Sequence, residues 1–212
     1  MDIARPVREG AQTATAALLR LAGVSLVAAA ALFMFVIMLG ASMAPEYDMN
    51  TAAISDLGVF EETALLFNVT LVIVGVLIIV GGLLLQRVHA KAWITALFVV
   101  AGIGAVGAGI FPLDSGGPHG LFALVAFLAF NLQAIAVATL VRGPMRVLSV
   151  LAGAVGLVFV VLMAIGDGGN SAAFGAIGHG GTERMIVYPV MVWMLAFGGY
   201  LLAPRDGRAG AL

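Results

Sequence analysis

Long uninterrupted runs of apolar residues are the dominant pattern along this chain. Six segments contain no Asp, Glu, Lys or Arg: 21–45, 63–86, 92–113, 115–141, 147–166 and 185–204. A helix of about 20 residues crosses the ~30 Å hydrocarbon core of a bilayer, so each segment is long enough. The runs do not alternate with a period of two, which argues against a β-barrel. The pattern predicts an all-α fold, one domain over 1–212, with transmembrane helices at about 18–43, 62–86, 92–112, 118–141, 146–166 and 183–203.

Composition agrees with this prediction. Hydrophobic residues make up 62% of the 212 residues and charged residues only 10%, and the mean hydropathy is +1.14. A soluble domain does not normally expose so few charges. The chain contains no cysteine, which excludes disulfides, thiolate chemistry and metal sites built from cysteine.

The few charges are unevenly distributed between the two ends of the predicted helices. Nine of the ten basic residues fall in alternate connections: Arg5, Arg8, Arg20, Arg87, Lys91, Arg142, Arg146, Arg205 and Arg208. Eight of the eleven acids lie in the other connections: Glu46, Asp48, Asp56, Glu61, Glu62, Asp114, Asp167 and Glu183. By the positive-inside rule, the basic side is cytoplasmic. We therefore expect a multi-pass protein of the cell membrane with both termini in the cytoplasm.

Ionisable residues are absent from the middle of the predicted spans. Proton relays and ion-coupled carriers normally place such groups there, so the pattern disfavours a small-solute carrier. The polar residues inside the spans are amides, chiefly Asn68, Asn131 and Gln133. They fit either hydrogen bonds between helices or a polar wall for a lipid-sized cleft.

The ten residues FPLDSGGPHG, 111–120, place a carboxylate and a histidine between two apolar segments. Asp114 and Ser115 are typical of a turn or a helix cap, and His119 falls in the first turn of the fourth helix. The glycines and the proline allow Asp114 and His119 either to converge on one outer site or to diverge. The sequence leaves both alternatives open.

A second polar group precedes the sixth helix. His179 and Glu183 have the i, i+4 spacing of two metal ligands on one helix face, although two glycines intervene. Arg184 is the sole basic residue among eight acids on the predicted outer side. We expect it to pair with Asp56, Asp114 or Glu183, or to hold an anionic group such as a lipid phosphate.

Several short motifs in this order resemble a prokaryotic, largely archaeal membrane family, the domain of unknown function 998. They are ISDLG at 54–58, FN at 67–68, FPLD at 111–114, the histidine that opens helix four, and ERM at 183–185. The family is distantly similar to the Frag1/DRAM/Sfk1 group of six-helix proteins, some of them linked to lipid remodelling. The resemblance implies this fold and points to eight positions: Ser55, Asp56, Asn68, Pro112, Asp114, His119, Glu183 and Arg184.

A looser similarity connects the chain to zinc-dependent membrane hydrolases of the alkaline ceramidase and adiponectin-receptor type. The spacings from Ser115 to His119 and from His179 to Glu183 echo the motifs of those enzymes, whereas a third histidine and a seventh helix are missing. A divalent metal is therefore an open alternative, and the metal ligands stay undetermined.

We predict an outer-face site that binds or modifies a lipid headgroup, as a hydrolase or transferase would. His119 would be the general base or a metal ligand, with carboxylates orienting it, and other polar groups would hold the substrate. The assigned catalytic residues are His119, Asp114, Glu183 and Asp56, and the assigned substrate-binding residues are Arg184, Ser55 and Asn68.

The alternative is a non-catalytic module that binds or organises partner membrane proteins, and a small-solute carrier is third. An enzyme requires the outer polar groups to converge on an accessible cavity, whereas a module predicts fully paired charges and no cavity. Membrane lipids are the expected partners, with no nucleic acid. A homo-oligomer or a partner membrane protein is the further alternative.

Overall fold

Six long helices make up most of the protein. The computed structural model describes residues 4–203, with side chains from residue 12 onward. The helices are α1 Ala4–Met43, α2 Ala64–His89, α3 Ala92–Ile110, α4 Gly117–Val137, α5 Gly143–Asp167 and α6 Gly178–Leu202. Within the described range there is no strand, and six helices are long and apolar enough to cross a membrane. The all-α, multi-pass prediction is confirmed.

The helices form a closed ring. Each helix packs against its neighbours in the chain, and α6 packs against α1, which closes the circle. Glycines lie where two backbones approach most closely: a Cβ on Gly75 would lie 2.5 Å from the carbonyl oxygen of Gly102 on the next helix. Small residues at such contacts are how membrane helices pack tightly. The outward faces carry apolar side chains such as Phe35, which is 65% exposed.

The start of α6 differs from the prediction. The helix begins at Gly178 instead of Glu183. Its first turns contain glycines, which have no side chain and therefore let the connection between α1 and α2 pack against the helix. A Cβ on Gly180 would lie 2.7 Å from the carbonyl oxygen of Met49, in the connection between α1 and α2. The Thr182 hydroxyl, within this first part of the helix, donates to the carbonyl of Gly178.

All eight acids of the predicted outer side lie at one end of the bundle, which we call the acidic end. The connections at this end are 44–63, called loop 1, 111–116 and 168–177, and each contains a short 3-10 helix: Ile54–Gly58, Leu113–Ser115 and Ser171–Ile177. Loop 1 folds over the ends of the helices, and residues of its 3-10 helix are buried. It therefore forms part of the interior at the acidic end.

Candidate functional site

Two predicted site residues hold the 3-10 helix of loop 1 in position. The Asp56 carboxylate accepts a hydrogen bond from the backbone N–H of Ala53 at 2.7 Å, and the Asn68 amide donates to the carbonyl of Gly58 at 2.8 Å. The first contact satisfies an amide at the start of the 3-10 helix, and the second ties the end of this helix to α2. Local cap chemistry thus fixes the loop.

Arg184 fastens the preceding part of loop 1 to α6. Its side chain is 7% exposed, and one terminal nitrogen donates to the carbonyls of Met49, Ala52 and Gly180 at 2.8, 3.1 and 2.8 Å. The other terminal nitrogen donates to the Tyr47 hydroxyl, and the guanidinium lies 5.5 Å from the centre of the Tyr47 ring. Backbone carbonyls therefore take the place of a counter-ion.

The expected ion pair of Arg184 with Asp56, Asp114 or Glu183 is wrong. Among the residues that the structure describes, the ion-pair contact at this end joins His179 and Asp167 instead. The two terminal nitrogens of Arg184 donate to loop 1 and α6, so the guanidinium does not face the cavity described below. This arrangement does not favour the interpretation in which Arg184 holds a lipid phosphate.

Tyr47 is the polar contact between Arg184 and the 3-10 helix. Its hydroxyl accepts from Arg184 and donates to the carbonyl of Ala53 at 2.7 Å. Burial raises the pKa of Tyr47 to about 12, although the neighbouring Arg184 acts in the opposite direction. Tyr47 is neutral at physiological pH and can donate this hydrogen bond.

We expect this contact to fail in alkaline solution. A phenol has a pKa of about 10 when unfolded, so Tyr47 stabilises the fold fully below pH 10 and loses its contribution as the pH rises toward 12. Thermal unfolding in detergent should show a steeper decrease of Tm above pH 10 for the wild type than for Tyr47→Phe. Tyr200→Phe, which removes a hydroxyl from α6, should retain the wild-type profile. Parallel profiles for all three proteins would contradict this account.

Glu183 and His119 are both buried at the acidic end, with 5% and 4% of their surface exposed. Glu183 accepts a hydrogen bond from the backbone N–H of Ile54, which joins α6 to loop 1. His119 Nδ1 lies 2.8 Å from the carbonyl oxygen of Phe111. Because a carbonyl only accepts, Nδ1 carries the proton, and in the neutral ring Nε2 keeps its lone pair.

A cavity of about 450 Å³ brings several of these side chains together. Its polar lining comes from loop 1 and the adjoining helix ends: Ser55, Asp56, His119, Asp167, His179 and Glu183. Its apolar wall comes chiefly from α4 and α5: Leu124, Phe127, Val160, Met163 and Ala164. One end of the cavity is therefore polar, and the side between α4 and α5 is apolar.

The predicted site residues divide into two groups. His119, Glu183, Asp56 and Ser55 all line the cavity. Asp114 is exposed and lines no part of it, because the backbone turns at Gly116, where φ is +72°, and separates the two halves of FPLDSGGPHG. Asn68 and Arg184 also lie outside the lining. Their contacts position loop 1 instead.

Two cavity residues were not assigned to the site by the sequence. Asp167 ends α5 and His179 lies in the first turn of α6, and His179 Nε2 is 3.3 Å from an Asp167 carboxylate oxygen. The rings of His179 and Phe174 also make a T-shaped contact. The available signal was that both residues lie at the acidic end, next to the longest connection after loop 1.

No group of three His, Asp or Glu side chains among the described residues is arranged to hold a metal ion. His179 and Glu183 share the cavity, but His179 contacts Asp167 and Glu183 contacts the Ile54 amide.

A family model described as "Protein of unknown function (DUF998)" matches residues 27–200. This range covers the latter part of α1, the whole of α2 to α5, nearly all of α6, and every residue that lines the cavity. No curated protein matches the chain, and no solved structure does.

Proposed function

The chain belongs to the DUF998 family of membrane proteins, and we propose that it binds a membrane lipid in the cavity at its acidic end and modifies the headgroup, as a hydrolase or transferase that acts on an ester. The cavity carries this proposal, because it joins a polar rim to an apolar wall on the lipid-facing side. Leu124 lines the wall and is 46% exposed, and Ala164 lines it and is exposed. A hydrocarbon chain can enter between α4 and α5 while its headgroup stays at the rim.

The rim favours a headgroup that donates hydrogen bonds. Three carboxylates, Asp56, Asp167 and Glu183, line the cavity, and carboxylates are acceptors when ionised. Arg184, the sole arginine at this end in the part of the chain that the structure describes, donates to backbone carbonyls outside the cavity. A hydroxyl-bearing or cationic headgroup therefore suits the rim better than a phosphate does.

His119 is the proposed general base. Its Nδ1–H is held by the Phe111 carbonyl, which leaves Nε2 to take a proton from a water molecule at the headgroup. The water oxygen attacks the ester carbon, the ester C–O bond breaks, and the proton passes from Nε2 to the leaving alcohol. Ser55 and Glu183 line the same cavity and would bind and orient the reacting groups. With an alcohol in place of water, the same steps make a transferase.

The non-catalytic module is the second candidate, and one observation favours it. The two terminal nitrogens of Arg184 donate internally to Tyr47 and to the loop 1 carbonyls, as in a structural scaffold. A module also predicts that no cavity forms, and the 450 Å³ cavity beside this network supports the lipid site.

The expected bacterial or archaeal cell membrane, with the acidic end outside and both termini inside, fits a site facing the outer leaflet.

The lipid site can be tested with a non-hydrolysable ligand. A radiolabelled long-chain alkylglycerol offers two hydroxyl groups and one hydrocarbon chain. In phosphatidylcholine nanodiscs, we expect Ala164→Trp to weaken its binding by about 10- to 100-fold, because filling the cleft costs about 1–3 kcal/mol. Ala164 lines the cleft and is exposed at its mouth, so the substitution should be tolerated by the fold.

Ala154→Trp is the matched control. Ala154 lies on α5 and is exposed like Ala164, but it lines no part of the cavity, so its variant should bind as the wild type does. Equal binding by the wild type and Ala164→Trp would reject the cleft between α4 and α5 as the lipid site and leave the module as the better candidate.

A further inference from the structure

A second, smaller cavity lies deeper in the bundle, next to the polar groups of the site. Its volume is about 50 Å³, and its lining comes from loop 1 and from α1, α2, α3, α4 and α6. We call it the deep chamber. Ser55, His119, Ala123, Phe127 and Glu183 line both cavities. The imidazole of His119 and the carboxylate of Glu183 therefore lie between an apolar wall that faces lipid and an apolar chamber that faces the interior.

Apart from these shared polar residues, the deep chamber is apolar. Phenylalanines from three helices, Phe33, Phe67 and Phe130, lie around it. An apolar cavity offers a water molecule too few hydrogen-bond partners and normally stays dry. Because its lining atoms lack contacts when it is empty, such a cavity favours an apolar occupant.

Small residues on α3 and α4 make room for the deep chamber. Ala105 and Ala108 line the chamber from α3, and Ala126 lines it from α4; all three are at most 6% exposed. A cavity needs about 10–15 Å³ to hold one water-sized group, so the chamber of about 50 Å³ has room for a short chain of about three to five such groups.

We propose that the deep chamber binds the short acyl arm of a lipid ester whose carbonyl lies beside His119. This inference rests on the proposed function and specifies its substrate. The long chain of the lipid occupies the cleft between α4 and α5, the free hydroxyl group meets the rim, and an acyl group of about three to five carbons enters the chamber.

This placement defines which bond is cleaved. Water loses a proton to His119 Nε2, and its oxygen forms a bond to the acyl carbon. The ester C–O bond breaks, and the lipid alkoxide takes the proton from His119. The products are a short carboxylic acid, released from the chamber, and a lipid alcohol, released through the cleft. Neither an oxidant nor a metal enters this balance.

Photolabelling with a matched probe series tests the inference. The probes are long-chain alkylglycerols whose second hydroxyl carries an ether-linked alkyl arm of increasing length in place of the ester, so that they are not cleaved, each with a diazirine near the end of this short arm. We expect labelled peptides from α2 and α4 around Leu71 and Phe130, which line the chamber. The apparent affinity should increase about fourfold for each added carbon until the chamber is full, because each buried methylene contributes by this factor.

Ala108→Leu should reduce chamber labelling more than tenfold, since the leucine replaces two or three carbons of the probe. The same ether carrying a diazirine on its long chain should still label the cleft around Met163. Ala105→Val is the second variant if Ala108→Leu does not fold, and the length series on the wild type requires no variant.

The outcomes separate the two proposals. Labelling of the cleft without labelling of the chamber, or chamber labelling that a folded Ala108→Leu protein retains, overturns the acyl arm and leaves the proposed lipid site intact. Absence of labelling at both places contradicts the lipid site itself, and the acyl arm with it.

Discussion

Replacing His119 with glutamine should lower hydrolysis of a short-acyl ester of a long-chain alkylglycerol by a factor of about 10²–10⁴. This is the usual contribution of a positioned general base. Glutamine keeps a polar side chain of similar reach but has no nitrogen that accepts a proton. The measurement is the release of radiolabelled short-chain acid by protein in nanodiscs, as a function of ester concentration.

Binding and folding should change much less than turnover in this variant. The substitution removes one hydrogen bond, from His119 to the Phe111 carbonyl, so we expect a loss of about 1 kcal/mol in unfolding free energy. The non-hydrolysable alkylglycerol should bind within about threefold of the wild type, a difference of under 1 kcal/mol. Such a result would separate catalysis from structure.

Asp114→Asn is the matched control for this experiment. Asp114 comes from the same ten-residue stretch but is exposed and lines neither cavity, so the variant should retain wild-type turnover. If His119→Gln also retained it, the imidazole would not be the base, and the non-catalytic module would explain the cavity better. If both variants lost activity, the loss would be attributed to a disturbed backbone in the 111–120 turn and not to the missing imidazole.

The sequence predicted the helices well because length and apolarity are local properties. Each apolar run had to satisfy its backbone hydrogen bonds internally within a bilayer, and a helix does so. The start of α6 was missed because Gly180 and Gly181 look like helix breakers. In the bundle, Gly180 lies against Met49 of loop 1, and this tertiary contact favours a helix that local propensity does not.

The candidate site was predictable only in part. Polar residues at one end of the bundle indicated His119 and Glu183, and both line the cavity. Asp114 could not be separated from His119 by spacing, because the backbone turn at Gly116 decides the direction of each side chain. The deep chamber was invisible in the sequence, since it depends on how alanines from α3 and α4 face the phenylalanines of other helices.

Arg184 shows most clearly why its partner could not be read from the sequence. A buried guanidinium among acids suggests a carboxylate partner, and charge patterns reveal only charged partners. The actual acceptors are chiefly backbone carbonyls, which every residue carries. The structure of loop 1 brings the carbonyls of Met49 and Ala52 to one point, and this convergence has no sequence signature.

Arg184→Ala should therefore destabilise the protein by about 3 kcal/mol. Each hydrogen bond from a charged donor contributes about 1.5–3 kcal/mol, and the contributions of one guanidinium are not additive. Water that reaches the freed carbonyls of loop 1 recovers part of the loss. Arg184→Lys should cost about 1–2 kcal/mol, because an ammonium group can donate to the carbonyls but cannot span them and Tyr47 as the planar guanidinium does.

Loop 1 should lose its protection in the same variants, since Arg184 is what fastens Met49, Ala52 and Tyr47 to α6. Hydrogen exchange of backbone amides in 47–54 should become faster in Arg184→Ala, while exchange in the middle of the helices stays slow. Arg146→Ala is the matched control: Arg146 is exposed at the opposite end of the bundle, and its loss should change stability by less than about 0.5 kcal/mol. A folded Arg184→Ala protein with wild-type exchange in 47–54 would mean that other contacts hold the loop, such as those of Glu183, Asn68 and Asn50. In that case the guanidinium would be free to serve the cavity, and its interpretation as an anion-binding group would have to be restored.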